Sequence, residues 1–275
     1  MPELPDVEGF REVLSSCGGG RRVTNVEVRD PGVLRGVTVR RLRNEVVGER
    51  FGEPRRHGKW LIAPMDDGPV LVWHFGMTGA LVCACADEPP DPHDRVVLTL
   101  DDERQLRYRD QRKLQGVQLA GNEAAVGHIL ADLGPDALAV SGEDFRRLLD
   151  GRRGAVKNVL MDQSALAGLG NLLSDEILWR AGVAPDRAAR ELSAAEVREL
   201  HTAMRRVLAS SVRAARVPPR RSWLTGRRDD PDPRCPRCEG RLRSRRFSGR
   251  RTLWCPRCQS RPPGADRDVH PGKGG

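Results

Sequence analysis

The chain has 275 residues, with 47 Lys and Arg against 38 Asp and Glu and a formal net charge of +9. With 38% hydrophobic and 31% charged residues it can bury a core beneath a strongly polar surface, which argues against fully disordered and fibrous classes. No window reaches about 18 consecutive apolar residues, and MPELPDVEGF carries acids where an export signal needs a basic and then an apolar run, so a cytoplasmic protein is expected.

After PELPD, the residues Val7, Phe10, Val13 and Leu14 share one helical face. They predict a helix over 7–17, with Asp6 as cap and Gly18 to Gly20 as stop. Alternating or β-rich runs follow at 23–28, 37–42, 60–63, 70–75, 80–85, 96–100, 105–108 and 117–119, separated by Pro, Gly and Asp clusters. Their spacing predicts a β-sandwich or barrel over 1–121, and the absence of alternating helices speaks against a parallel α/β sheet. Beyond Glu123 the period turns helical: Ile129, Leu130 and Leu133 precede Ser141-Gly-Glu-Asp144, a capping-box pattern. Helices are predicted over 155–163 and 171–181, joined by SALAGLG, and a longer one runs from Ser193-Ala-Ala-Glu196 to about Ala215. These residues make a helical domain over 122–219 with a helix, two turns, helix core. An Arg-rich module over 220–259 and a disordered tail over 260–275 complete an α+β, multidomain chain.

All but four of the basic residues are Arg; the lysines are Lys59, Lys113, Lys157 and Lys273. The two cations are interchangeable as solvated charge but not where a compact ammonium is needed, so these positions stand out. Residues 220–257 hold 13 Arg against four acids, which makes nucleic acid the leading partner.

Four of the seven Cys form two CPRC pairs, Cys235 with Cys238 and Cys255 with Cys258, sixteen residues apart. That spacing lets two knuckles close on one tetrahedral zinc ion, and RLRSRRFSGRRTLW between them reads as two strands about a Ser248-Gly249 turn. The module is too short to bury a core of its own, so the metal supplies its folding energy. The remaining Cys17, Cys83 and Cys85 are expected to be ordinary apolar-face or loop residues.

Pro2 follows the initiator Met. Removal of Met1 would expose a secondary amine that can attack an aldehyde-level carbon to give an iminium ion, with Glu3 beside it as acid or base. PELPDVE, RHGKWL, HFGMTG, LMDQSALAGLGNLLSDEILWRAGVAP and the CPRC pairs, in that order, resemble the formamidopyrimidine-DNA glycosylase and endonuclease VIII family over about residues 2–259. The resemblance implies a bifunctional DNA glycosylase and AP lyase of base excision repair. Such an enzyme flips an oxidised base out of the stack, removes it through a Schiff base on an N-terminal proline, and cuts the strand by β,δ-elimination.

Carried over by position, Pro2 matches the nucleophile, Glu3 the acid that assists sugar-ring opening, and Lys59 the β-hairpin lysine near the damaged nucleotide. Lys157 falls where the family has a lysine near the lesion or a flanking phosphate, Asn171 on a phosphate-binding asparagine, and Arg250 on the zinc-hairpin arginine that clamps phosphates. Met77 matches a void-filling residue, Arg112 the arginine facing the orphaned base, and Leu114 a wedge that is often aromatic. On the residues alone, Lys59 reads as a strand-edge charge, Lys157 and Asn171 as helix-surface groups, Arg250 as one Arg of many and Met77 as core.

The segment VPPRRSWLTGRRDDPDPR, before the first zinc Cys, lacks the family's Gly/Thr/Asp-rich lesion loop and VYGR-like strand. This departure favours oxidised bases broadly over 8-oxoguanine alone. One structural zinc, no nucleotide cofactor, damaged duplex DNA as partner, no membrane and a monomeric, nucleoid-associated protein are expected. The alternatives are an AP lyase, or a non-catalytic DNA-binding protein of the same fold with no activity on 8-oxoguanine; a zinc-ribbon transcription or ribosome factor is a weaker one.

Overall fold

The computed structural model describes residues 1–66 and 68–259, so the expected tail over 260–275, with Lys273, lies outside the described residues. The chain forms two compact units. One comprises Met1–Val140, Leu160–Leu173 and Arg206–Pro218; the other comprises Ser141–Val159, Ser174–Arg205 and the segment that begins at Pro219.

In the first unit, helix α1 (Leu4–Gly18) begins at Glu3, earlier than the apolar period indicates. The Glu3 amide donates to Asp6 Oδ2 at 2.8 Å, so Asp6 works from inside the first turn rather than as the cap itself. One antiparallel sheet has the order β1 (Val23–Val28), β6 (Asp94–Leu100), β7 (Arg104–Arg109), β5 (Ala80–Cys85). The other runs β2 (Arg55–His57), β3 (Trp60–Pro64), β4 (Val70–His74), β8 (Val117–Ala120). Val26, Leu98 and Leu106 of the first sheet share a core with Leu61, Leu71 and Val117 of the second and with Val7 and Leu14 of α1. This is the expected sandwich with its flanking helix, each sheet turning alternate side chains inward. The outer face of the second sheet, through Ile62, Val70 and Val72, is covered by Val126 of α3 (Glu123–Leu130).

Two sequence expectations are corrected here. Residues 37–42 do not form a strand: Thr38 caps α2 (Val39–Val46), its side chain accepting from the Arg41 amide, and Leu42 and Val46 bury one helical face. Cys17 and Cys83 are not ordinary apolar or loop residues, because a disulfide joins α1 to β5 through them. Cys85 is exposed with a free thiol.

The second unit contains α4 (Gly142–Leu149), capped by Ser141, whose hydroxyl accepts from the Asp144 amide. It also holds most of α5 (Val156–Met161), of α6 (Asn171–Ala181) and of α7 (Ala194–Val212), the last capped by the predicted Ser193–Glu196 pair, while the SALAGLG turns between α5 and α6 belong to the first unit. A hairpin of β9 (Arg243–Phe247) and β10 (Arg250–Trp254) turns at Ser248 and Gly249, both at positive φ. Beneath it Trp179, Leu224, Leu242 and Leu253 make only a small apolar cluster around Cys235 and Cys255. Among the described residues, no helix is long and apolar enough to cross a membrane.

Candidate active site and metal centre

The start of α1 meets the turns that precede α6. Leu4 N donates to Gly168 O at 3.1 Å, and Gly168 holds φ at +116° where a Cβ would collide with Leu4. Gly170 is equally constrained, since a Cβ there would fall 2.3 Å from the Glu3 carboxyl carbon. The absence of side chains in Gly-Leu-Gly therefore admits the Glu3 carboxyl to the first turn of α6. There it accepts from the amides of Gly170 (2.9 Å), Leu172 (2.8 Å) and Leu173 (3.2 Å).

Burial raises the pKa of Glu3 above its ordinary value, while Lys59 and the Leu172 and Leu173 amides act the other way. Lys59 follows Gly58 in the turn from β2 to β3, and that turn is fixed from below. Arg56 makes a paired contact with Asp136 and a 2.9 Å contact with Glu8, and Gly58 N donates to Asp136 Oδ2 at 2.7 Å. Asp136 is a positioning residue that no motif singled out. Met1, Pro2, Glu3, Thr78, Leu172 and Arg216 are among the residues lining an open pocket of about 390 Å³. Pro2 and Glu3 thus share one pocket, Lys59 acts electrostatically on Glu3, and Asn171 is the first residue of the helix whose amides hold Glu3.

Two loops beside β4 and β7 carry the residues expected to fill the stack. Met77 and Leu114 are exposed, so Met77 is not core, and Arg112 reaches Met77 Sδ at 3.0 Å. Asp110 ties the loops together, accepting from the Thr78 hydroxyl (2.5 Å) and the Arg112 amide (3.1 Å).

In the second unit, Arg250 stands exposed where β10 leaves the hairpin turn. Lys157 is corrected: it is fully buried, with Nζ 2.5 Å from Asp175 Oδ1 and from Thr252 Oγ1, and its ammonium has no exposed surface to offer a phosphate. The sulfurs of Cys235, Cys238, Cys255 and Cys258 lie within 4.8 Å of one another, two of the separations being 3.8 and 3.5 Å. A tetrahedral ion with bonds of about 2.3 Å requires sulfurs roughly 3.8 Å apart, so the four thiolates fit zinc. Amide donors from Arg237 and Cys258, and the Trp179 indole, point at the sulfurs as a thiolate cluster needs.

The family model of the formamidopyrimidine-DNA glycosylase N-terminal domain matches residues 1–117, and that of the formamidopyrimidine-DNA glycosylase H2TH domain matches 133–218. The chain belongs to the formamidopyrimidine-DNA glycosylase family. Among family members, the formamidopyrimidine-DNA glycosylase of Desulfitobacterium hafniense is 34% identical, covering 94% of this chain and 100% of its own. That of Heliobacterium modesticaldum is 36% identical at the same coverage. The structure of a Lactococcus lactis FPG mutant with Fapy-dG-containing DNA superimposes with a TM-score of 0.87 at 26% identity, covering 94% of this chain and 100% of that one. The Lactococcus lactis protein with abasic-site DNA gives 0.85 at the same identity and coverage.

Proposed function

We propose that this family member is a DNA glycosylase for oxidised bases, with AP lyase activity, acting in base excision repair through the amine of Pro2. The observation that carries the reading is that Pro2 and the buried Glu3 line one open pocket, with Lys59 acting electrostatically on Glu3. Removal of Met1 frees the Pro2 nitrogen, whose lone pair bonds C1′ of the flipped nucleotide as the bond to the base breaks; the electron pair leaves with the base, which takes up the proton that the nitrogen sheds. Glu3 gives its proton to the sugar-ring oxygen, the ring opens, and the nitrogen is left as an iminium. Loss of a 2′ proton then expels the 3′ phosphate, and a further elimination releases the 5′ phosphate.

Lys59 places a compact charge beside the reacting sugar, and Met77, Arg112 and Leu114 occupy the vacated stack. Asn171 at a helix start and Arg250 at the hairpin tip hold phosphates of damaged duplex DNA, so affinity falls with salt. Zinc binds Cys235, Cys238, Cys255 and Cys258, holds the hairpin and takes no part in the chemistry. The protein works as a monomer in the cytoplasm, at the nucleoid.

Borohydride trapping on an abasic duplex tests this reading. A covalent adduct located at Pro2 by mass spectrometry is expected, and DNA binding without any adduct from Met-processed protein would refute it.

A further inference from the structure

We infer that Arg216 reads the flipped base, its guanidinium serving as a donor fork for lesions that present neighbouring carbonyl oxygens on one edge. The inference rests on the catalytic reading of the Pro2 pocket. Arg216 lines that pocket with Pro2, Glu3 and Val217, and it is the one arginine or lysine among the described lining residues, where Asp6 and Glu3 supply the acids. Its charge acts on Asp6 of the same pocket, and the residue is exposed.

Its placement is built. Helix α7 ends at Val212, and the chain then closes a tight turn in which Ala215 N and Arg216 N donate to Val212 O (2.9 Å) and Ser211 O (3.1 Å). Ala215 sits at φ +50°, a conformation that L side chains rarely adopt. The turn is pressed on α1 at Gly9, where a Cβ would lie 2.7 Å from that of Ala215. A strained turn docked on a glycine fixes the residue that follows it, a permanent cation at the pocket that Glu3 also lines. Arg offers donors only, in a planar pair matched to two adjacent acceptors. A ring-opened purine carries such a pair, its ring carbonyl and its formyl oxygen, whereas an abasic sugar carries nothing for the fork to hold.

The test compares wild type with Arg216→Gln and Arg216→Lys on two duplexes, one containing a formamidopyrimidine and one an abasic site, in single-turnover strand scission with borohydride trapping. Both variants are expected to lose roughly 10- to 100-fold in excision of the formamidopyrimidine, the loss of a bidentate contact, and to cleave the abasic duplex at the wild-type rate. Equal losses on both duplexes would make Arg216 a phosphate or scaffold contact and overturn the inference. Unchanged excision, or full activity in Arg216→Lys, would overturn it as well. If wild type itself formed no adduct on the abasic duplex, the catalytic reading would fall first and this inference with it.

Discussion

The ammonium of Lys157 lies 2.5 Å from Asp175 Oδ1, with both side chains closed to solvent. The second oxygen of Asp175 takes Arg228 at 2.8 Å and the amide of Leu253 at 3.1 Å, so one carboxylate links α5, α6, the Arg-rich segment and strand β10. Lys157→Met leaves that carboxylate buried with one cation fewer. A loss of about 3 kcal/mol is expected in urea unfolding, and an unchanged midpoint would show the pair to be incidental.

Glu3 titrates on the acid side of its function. Because burial raises its folded value above the ordinary 4.5, the stability it contributes is complete below 4.5 and is lost as pH rises through the raised value. The proton donation proposed for Glu3 fades over the same range. Base excision by wild type should therefore fall on the alkaline limb of its pH profile, and Glu3→Gln should lower excision by about 100-fold or more at every pH. An alkaline limb that persists in Glu3→Gln would assign it to another group.

His74 behaves in the opposite sense. Burial, aided by nearby Lys59, lowers its value from 6.5 to about 4, and its Nδ1 accepts the Gly76 amide as a neutral ring must. The unfolded chain takes up a proton below 6.5 that the folded chain refuses, so stability present above 6.5 is lost as pH falls toward 4. The loss amounts to about 3 kcal/mol at most. His74→Asn keeps an acceptor for Gly76 and should flatten the difference in urea stability between pH 7 and pH 5.

Zinc removal should act on the hairpin. The cluster of Trp179, Leu224, Leu242 and Leu253 is too small to hold β9 and β10 without the metal, which supplies on the order of 10 kcal/mol in comparable modules. One zinc per chain is expected by elemental analysis. Chelation should alter Trp179 and Trp254 fluorescence and abolish tight binding to duplex DNA; retained binding would separate the metal from the phosphate clamp.

The disulfide between Cys17 and Cys83 spans 66 positions. Closing a loop of that length contributes up to about 4 kcal/mol through the unfolded chain. Reduction in a Cys85→Ser background, which blocks exchange with the neighbouring thiol, should lower the melting temperature, and Cys17→Ser should melt at the reduced value with or without reductant.

The strands that bury alternate residues, such as β1 and β6, were legible because period two is a direct record of a two-faced sheet. Strand β2 was not: Arg55, Arg56 and His57 carry no apolar alternation, and only their ladder with β3 makes them a strand. The run at 37–42 alternates by accident, and the Thr38 cap with the Arg41–Glu45 ion pair decides for a helix. The four clustered cysteines were readable because one tetrahedral ion needs two pairs at such a spacing, whereas Pro2 and Glu3 stood out only through the family resemblance. Asp136, Asp110 and Arg216 were not, since each acts through a tertiary neighbour distant in sequence. The scarce lysines proved a mixed signal. Lys59 acts electrostatically on Glu3, Lys157 is an internal ion-pair partner, and Lys113, at φ +53°, pairs with Asp30 at 2.8 Å to hold the loop beside Arg112.

The amides that cradle Glu3 belong to residues 167 to 170 positions further along the chain. Among the described residues, the carboxyl of the third residue therefore has no partner from its own neighbourhood in the chain beyond the turn it caps, and opening of the segment around Leu173 alone would return it to solvent. The environment of this acid thus reports on packing more than half the chain away.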